Sequence, residues 1–469
     1  MDDRRVSVLH NRNVLCRNRA ACPLAVLLVV CCCLSAANAQ WLETNLPTGA
    51  SPSGLVYNSI GNRVYCANQT GDNVTVIAGD TNAVVGTIPV VNYPVGTDPR
   101  GIVYNPTNNR IYCAHPGNDT VTVIAGDTNV VLKTIRVGDN PVGLTCDSTG
   151  KVYCANQNSN NVTVIDGTAD TVIKTIAVGS TPLGPVWSPT GNKVYCANSG
   201  SGNVTVIDAA ADTVIKTIAV GATPWALVCN PAGNKVYCAN FASGSVTVID
   251  GASDTLMTTI TVGGGPMAVA YNSTNNKVYC ANYNNDNVTV IDAAADTVLK
   301  TVAVGRRPRV LVYDSVYNKV YCANGGGSSV TVIDGGIDLV VATISVGGFP
   351  CALARNPVQH RIYVANQQSS TVSVIRDSSV TGAEDGFKPQ APSSRLEATI
   401  VRGVLLLQEA TSRKPQAASL LDATGRKVMD LRPGANDVRA LAPGVYFVQE
   451  QPQATSLRPQ AIRKVVVTR

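Results

Sequence analysis

A repeated segment of about 42 residues is the feature that most limits the folds open to this chain. The tripeptide Tyr-Cys-Ala recurs with its cysteine at Cys66, Cys113, Cys154, Cys196, Cys238, Cys280 and Cys322, and an eighth copy has Val364 in that place. Successive spacings are 47, 41 and then 42 residues five times. A period of this length, built of strand signals, is typical of a β-propeller with one four-stranded blade per repeat.

Each repeat divides into four predicted strands. In the fourth copy they cover residues 182–187, 193–197, 203–208 and 213–220, and each is rich in β-branched residues and ends at Gly, Asn, Asp or Pro. We expect Asp208 and Asp212, in the turn after the third strand, to accept hydrogen bonds from nearby backbone N–H groups. A calcium site is the alternative, but the ligand-rich alternation of a calcium loop is missing.

The number of strands predicts how the ring closes. Eight copies of the Val-Thr-Val-Ile type of strand are present, the last over residues 372–375, but only seven outer strands follow a copy. Residues 42–49 have the place of the missing outer strand. We therefore predict an all-β, eight-bladed propeller of four-stranded blades in which the N-terminal strand closes the last blade and removes open sheet edges.

The N-terminal 39 residues read as a signal peptide. A basic stretch precedes the apolar residues 24–34, and Ala37-Asn38-Ala39 fits cleavage before Gln40. A retained membrane anchor is the alternative, although the apolar run is short for a bilayer, and no other segment predicts a membrane span. The net charge of +6 falls by about half without the leader, which argues against a nucleic-acid partner.

The repeat units VYCANQNSNNVTVID (152–166) and TVIKTIAVG (171–179) resemble the YVTN repeat of bacterial and archaeal surface β-propellers, with cysteine at the valine position of the motif. The resemblance covers residues 41–376. It implies a secreted or surface propeller, and it leaves function open, because the family includes surface proteins as well as relatives of lactonases and lyases.

The repeated cysteines are expected to be small buried hydrophobes between blades. Cys154 shares a strand face with Val152, and the eighth copy uses Val364 at the same position. Disulfides within a blade, pairing Cys146 with Cys154 and Cys229 with Cys238, stay open as the alternative. A metal array has less support, because only His115 and His360 follow the leader.

Departures from the repeat predict where a ligand binds. Two sets of loops share one face: the links between successive blades and the links between second and third strands. The candidate ligand-binding residues in them are Arg100, His115, Trp225, Phe241, Met267, Tyr283, Arg306, Arg307, Arg309 and Phe349. Together they would form an aromatic and basic patch suited to a glycan or an anionic polymer. The alternative is that these loop residues vary freely.

The C-terminal part is predicted to be a separate module. Residues 377–394 have the composition of a linker, and residues 395–469 read as a small Ig-like β-sandwich with strands over 418–422, 427–431, 444–448 and 464–467. The Thr424-Gly425-Arg426 turn, the segment 441–446 and the basic end resemble the sorting domain of type IX secretion substrates. That resemblance implies export to the surface or medium of a Gram-negative-type bacterium; a plain Ig-like stalk is the alternative.

The sequence favours a non-enzymatic function for the propeller, residues 40–376. No Gly-rich phosphate loop, nucleophile elbow or histidine-rich centre is present, so we predict no catalytic residue, metal or cofactor. The expected protein is a monomer without a stable membrane span, with a surface glycan, polymer or protein as its partner and the secretion machinery as a second partner. A secreted lactonase or lyase is the alternative.

Overall fold

The computed structural model describes residues 38–90 and 98–379 and seven strands between residues 397 and 467. The described residues fall into two compact units that divide between Ala383 and Glu384. The first unit consists of eight four-stranded antiparallel sheets, which confirms the predicted eight-bladed propeller. Among these residues there is no helix with the length and hydropathy needed to cross a bilayer.

The strands of each blade follow one another from the inside of the ring outward. Blades 1 to 4 consist of Pro52–Asn58, Arg63–Asn68, Asn73–Ala78 and Val84–Pro89; Ile102–Asn105, Arg110–His115, Thr120–Ala125 and Val131–Arg136; Pro141–Cys146, Val152–Asn156, Asn161–Asp166 and Thr171–Ala177; Pro182–Ser188, Lys193–Asn198, Asn203–Asp208 and Thr213–Ala219. Blades 5 to 8 consist of Pro224–Asn230, Lys235–Asn240, Ser245–Asp250 and Thr255–Thr261; Pro266–Asn272, Lys277–Asn282, Asn287–Asp292 and Thr297–Ala303; Pro308–Asp314, Lys319–Asn324, Ser329–Asp334 and Leu339–Ser345; Pro350–Asn356, Arg361–Asn366, Thr371–Ser379 and Asn38–Pro47.

The core lies between neighbouring blades. Because side chains alternate along a strand, each blade presents one apolar face to the blade before it and the other to the blade after it. Cys154 and Ile165 of blade 3, for example, pack against Tyr112 of blade 2, and all three are fully buried. The first strands of neighbouring blades contact one another around the whole ring, including blade 8 with blade 1.

The N-terminal strand closes the ring as the sequence predicts. It runs antiparallel to Thr371–Ser379, with Leu46 opposite Val372, and is the outer strand of blade 8. The Glu43 carboxylate accepts two hydrogen bonds from the Arg361 guanidinium, at 2.7 and 2.6 Å. Arg361 is almost fully buried, so this strand supplies its counter-charge as well as backbone pairing.

A basic residue at the start of each second strand, and a tyrosine within the strand, contact the next blade. In blade 3, Lys151 Nζ lies 2.7 Å from Asp212 Oδ2, and the Tyr153 hydroxyl donates to Asp212 Oδ1 at 2.9 Å. The equivalent basic–acidic pairs are Arg110–Asp170, Lys193–Asp254, Lys235–Asp296, Lys277–Asp338 and Lys319–Asp377. In blades 1 and 8 the tyrosine donates to Asn129 and Asn82 instead. We call this contact the interblade clasp.

The two aspartates of the turn in blade 4 have different hydrogen-bond partners. Asp208 accepts hydrogen bonds from the backbone N–H groups of Ala210 and Ala211 at 2.7 and 3.1 Å, which confirms its expected role. Asp212 instead accepts from Lys151 and Tyr153. Asp377, where the sequence placed the start of a linker, is 1% exposed and pairs with Lys319 and Tyr321. The ring therefore extends beyond Arg376, and its last strand ends at Ser379.

The structure does not contain the disulfides that the sequence left open as an alternative. All ten cysteines of the described residues are free, including Cys146, Cys154, Cys229 and Cys238. In blade 3, Cys146 lies opposite Val152 while Cys154 lies opposite Leu144, and blade 5 has the same arrangement. The two thiols of each proposed pair are therefore offset by two residues along the hairpin instead of facing each other.

The thiol of the repeated cysteine forms a hydrogen bond in addition to its packing contacts. In five blades it donates a weak hydrogen bond to the side-chain oxygen of the asparagine two residues later, as Cys154 Sγ does to Asn156 Oδ1 at 3.5 Å. Blade 8 has Val364, and there Asn366 Oδ1 is buried without a hydrogen-bond partner. Burial raises the pKa of the Cys113 and Cys196 thiols to about 12, so they stay protonated.

The second unit contains two antiparallel sheets. Glu397–Val401, Val404–Gln408 and Gly434–Asp437 form one, and Lys427–Leu431, Ala418–Leu421, Gly444–Glu450 and Ile462–Val467 form the other, in that order. Strands are thus present in the four segments that the sequence singled out. The packing of the sheets as an Ig-like sandwich, and the role of this unit as a sorting domain, stay predictions.

Removal of residues 41–49 tests the closure of the ring. We expect loss of the outer strand of blade 8 to lower the free energy of unfolding by about 3 kcal/mol or more, because Arg361 loses its carboxylate partner. The exposed edge of Thr371–Ser379 should also promote association. Thermal melting and light scattering measure both effects. A truncated chain that melts like the intact ring and stays monomeric would contradict this closure.

Two cysteine-to-valine variants separate the packing of the thiol from its hydrogen bond. Cys154→Val removes the donor to Asn156 Oδ1, whereas at Cys196 the equivalent Asn198 Oδ1 is already without a partner. We therefore expect Cys154→Val to cost about 1 kcal/mol more than Cys196→Val in urea unfolding. Thiol titration of the denatured propeller should count at least six free cysteines. Equal losses of stability in the two variants would mean that the cysteine contributes through packing alone. A titration that finds no free thiol would contradict the free cysteines of the structure.

Candidate functional site

Two sets of loops meet on one face of the ring. The residue after the Tyr-Cys-Ala-Asn segment donates its backbone N–H to the link that enters the same blade. Phe241 N lies 2.8 Å from Thr223 O, Tyr283 N lies 2.9 Å from Gly265 O, and Gly325 N lies 2.9 Å from Arg307 O. The hydrogen bonds of each blade therefore place variable residues of both loops side by side, as the sequence predicts.

Three aromatic rings form a row across blades 5 and 6. The ring centroids of Trp225 and Phe241 are 5.8 Å apart with an interplanar angle of 42°, and those of Phe241 and Tyr283 are 6.5 Å apart at 48°. Both distances fall within the range of favourable aromatic pairs. Trp225 is exposed, and Phe241 and Tyr283 are half-buried, so the row is partly packed against the protein and partly accessible to solvent.

Two arginines continue this row into blades 7 and 8. The Arg307 guanidinium carbon lies 5.7 Å from the centroid of the Tyr283 ring, and that of Arg309 lies 4.7 Å from the Phe349 ring. These distances are within reach of cation–π attraction. We define Trp225, Phe241, Tyr283, Arg307, Arg309 and Phe349 as the loop-face patch.

Glycines make room for the two arginines. Gly325 has the place in blade 7 that Phe241 and Tyr283 have in blades 5 and 6. A Cβ atom on Gly325 would lie 2.6 Å from Arg309 Cδ, and one on Gly326 would lie 3.0 Å from Arg307 Cδ. A side chain at either glycine would displace an arginine, so this loop and the patch depend on each other.

The patch includes two residues in a strained backbone conformation. The residue before the proline that opens each blade has positive φ: Ser51, Asp98, Asn140, Thr181, Thr223, Gly265, Arg307 and Phe349. Glycine fits this position in blade 6, whereas side chains with Cβ in this region cost about 1–2 kcal/mol. The φ values are 52° for Arg307 and 57° for Phe349. Because the same conformation recurs in all eight blades, it belongs to the repeat, and only the large side chains of Arg307 and Phe349 are particular to the patch.

The other candidate residues do not all join the patch. Arg100 is exposed but pairs with Asp98 at 3.0 Å in blade 2. Met267 is half-buried in blade 6, and Arg306 is exposed beside Arg307. Neither makes a ring contact with another described residue. The loop-face patch is therefore narrower than the surface that the sequence predicts.

His115 is not a loop residue, contrary to the prediction. It ends the second strand of blade 2 and is 0% exposed. The other seven blades have an asparagine at this position. There the asparagine donates to a hydroxyl of the third strand, as Asn156 Nδ2 does to Thr163 Oγ1 at 2.8 Å. Within the described residues, both ring nitrogens of His115 and Thr122 Oγ1 are buried without a partner.

Burial controls the charge of His115. Desolvation lowers its pKa to about 4, and the charge of Asp72 opposes this shift only in part. The imidazole is therefore neutral near pH 7. Since the unfolded chain binds a proton more readily between pH 6.5 and about 4, the folded state loses stability as the pH falls through that interval.

Replacing His115 with asparagine should restore the hydrogen bond to Thr122 and remove this loss. The depressed pKa of His115 corresponds to about 3 kcal/mol between pH 7 and pH 4. We expect His115→Asn to be more stable than the native chain, with the larger difference at the lower pH. Urea unfolding of both chains at pH 7 and pH 4.5 measures it. All other titrating groups are common to the two chains, so parallel pH profiles would exclude His115 as the cause.

Comparisons with known proteins agree with this architecture. A chain of hydrazine synthase from Kuenenia stuttgartiensis is similar at 23% identity, with a TM-score of 0.51, over 61% of this chain and 98% of that one. The computationally designed protein Ika8 is similar at 14% identity and a TM-score of 0.59, over 71% and 98%. Sqt1 of Saccharomyces cerevisiae is similar at 11% identity and a TM-score of 0.63, over 72% and 99%.

These likenesses show the fold alone. The search of curated proteins gave no match. The family model described as the YNCE-like beta-propeller matches residues 5–318, which is more than half of the chain. With its eight four-stranded blades and this match, the chain belongs to the YNCE-like β-propeller family.

Proposed function

We propose that this protein is a non-enzymatic, secreted or cell-surface propeller that binds a glycan, polymer or protein through the loop-face patch. The unbroken series of ring and cation–π contacts from Trp225 to Arg307, continued by Arg309 and Phe349, carries the proposal. Aromatic side chains with one face in solvent supply contact area at low cost in conformational entropy, which is why they recur in binding surfaces.

The backbone of the patch supports the same conclusion. Arg307 and Phe349 have a conformation that glycine would adopt with less strain, and the Arg307 backbone N–H is held by Asp286 Oδ1 at 2.8 Å. Gly325 and Gly326 carry no side chain where one would disturb the arginines. The same backbone conformation occurs at the equivalent residue of every blade, so the patch is distinguished by the large side chains of Arg307 and Phe349 at this position, and binding is the reason we assign to them.

Loss of the aromatic row should abolish binding without affecting the fold. A glycan, polymer and protein array is probed with the native propeller, with Trp225→Ala combined with Tyr283→Ala, and with Ile215→Ala as a matched control. Ile215 is an equally exposed apolar residue, but it lies on the outer strand of blade 4. We expect at least a tenfold loss of affinity in the double variant only, as for removal of aromatic anchors. Binding that survives in the double variant would reject this site.

Phe349→Gly gives a second test in which stability and binding separate. Glycine relieves the strain at φ 57°, so the melting temperature should stay the same or rise, while affinity falls with the loss of the ring beneath Arg309. A parallel fall of both would mean that Phe349 acts through the fold. Catalytic turnover of a bound ligand, dependent on polar residues of the channel, would favour the lactonase or lyase alternative.

The second unit is proposed to be the export signal. Its own strand pattern and the division of the chain between Ala383 and Glu384 support a module that the propeller does not need for folding. Removing residues 396–469 should leave the melting temperature unchanged but hold the ring in the periplasm of a host with type IX secretion. The same segment fused to a periplasmic reporter should carry it to the surface or medium. A stalk would give the reverse result in cell fractionation.

A further inference from the structure

The two cations of the loop-face patch, and Arg306 beside them, form no ion pair within the part of the chain that the structure describes. Among the described residues, no carboxylate forms an ion pair with Arg306, Arg307 or Arg309. Asp286, which lies close by, accepts a hydrogen bond from the Arg307 backbone N–H. At the opposite end of the blades, by contrast, the basic residues of the interblade clasp are paired. Blade 7 therefore presents concentrated positive charge to solvent.

The guanidinium groups are arranged to receive an anion. Each of Arg307 and Arg309 lies against an aromatic ring, which limits its freedom of movement and leaves its N–H donors available. Pro308 separates the two arginines in the chain, and their side chains pass Gly326 and Gly325. The Arg307 guanidinium lies on a ring of blade 6 and that of Arg309 on a ring of blade 8. A planar carboxylate or a sulfate accepts paired N–H donors of this kind, and such charge-assisted bonds are short and strong.

Charged and neutral contacts are separated along the patch. The rings of Trp225 and Phe241 lie in blade 5, and the arginines enter only at blade 7. The aromatic rings are tilted at 42° and 48° to one another, so the platform that they form is not flat. Linked sugar rings have apolar faces that lie on such rings, and a chain of them is not flat either. A ligand that is uncharged over part of its length and anionic at one point fits this order.

Two other anionic partners fit less well. A single-stranded nucleic acid carries a phosphate at every nucleotide and would need cations along the whole aromatic row. An acidic protein surface would need an apolar centre surrounded by a polar rim, whereas the rings here form a single row. Charge complementarity together with the platform therefore favours a glycan.

We propose that the loop-face patch binds an acidic glycan, with neutral sugar rings on Trp225, Phe241 and Tyr283 and its carboxylate or sulfate groups on the guanidinium groups of Arg307 and Arg309. This inference rests on the proposed function and specifies its ligand class. It predicts that affinity depends on the acidic group and falls with rising salt concentration.

Two matched pairs of polymers test the ligand class by calorimetry on the full chain. Polygalacturonate is compared with its methyl ester, and dextran sulfate with dextran; the first pair detects a carboxylate ligand and the second a sulfate ligand. We expect roughly tenfold tighter binding of the acidic member of one pair. Arg307→Ala combined with Arg309→Ala should remove that difference, and Trp225→Ala combined with Tyr283→Ala should weaken both members. Arg100→Ala is the control, because Arg100 is on the same face but pairs with Asp98.

The possible results separate this inference from the proposed function. Equal binding of both members of each pair, lost in the aromatic double variant, would overturn the acidic class and leave the proposed site in place. Binding that neither double variant changes would overturn both. Failure to bind any of the four polymers, or tighter binding of polyglutamate or oligothymidylate, would overturn the acidic glycan. Melting curves of each variant show that the ring is intact.

Discussion

The interblade clasp is the contact on which the ring depends. In blades 2 to 7 the clasp places a lysine or arginine and a buried tyrosine hydroxyl on a single aspartate of the next blade, as Lys193 and Tyr195 do on Asp254. The tyrosines are fully buried, and a buried hydroxyl without a partner would be costly. An exposed ion pair contributes only about 0–1 kcal/mol, but these aspartates are almost fully buried and accept several bonds each. The contact therefore fixes the position of each blade relative to the next.

Because the clasp holds one end of the blades, the loops at the other end are free to differ. The second strand begins with the clasp residue, such as Lys277, and ends at the loop that bears the ligand-binding candidate, here Tyr283. Between them lie the buried Tyr-Cys-Ala-Asn residues, whose asparagine ties the strand to a hydroxyl of its neighbour. The stabilising contact and the proposed binding residue thus lie at opposite ends of one short strand.

Much of this architecture follows from the sequence because the repeat is so regular. The period gives the number of blades, and the missing outer strand gives the closure by an N-terminal strand, predicted at residues 42–49 and found at residues 38–47. The partners Trp225, Phe241 and Tyr283 were predictable because equivalent loop positions of neighbouring blades lie side by side. The positive φ values of Arg307 and Phe349 were not, because a link of this length accepts several backbone conformations.

Other features depend on register, which a repeat does not reveal. The clasp joins residues about 60 positions apart, such as Lys235 and Asp296, so no local pattern marks it. Asp377 looked like the start of a linker because its partner Lys319 lies in another blade. The alternative of disulfides is not met, because the two cysteines of each hairpin are offset by two residues. His115 had looked like a loop residue because the strand end is one residue later than the sequence pattern shows.

The closure of the ring also has a consequence in time. The strand at residues 38–47 is made first, yet its partner Thr371–Ser379 is more than 300 residues later in the chain. During synthesis, the N-terminal strand has no partner until nearly the whole propeller has been made. Pairing of such distant segments is slow, because the loop entropy is lost before the contact forms. Closure of the ring is therefore a late step. Until it occurs, the unpaired edges of the N-terminal strand and of Thr371–Ser379 must be kept from pairing with other chains.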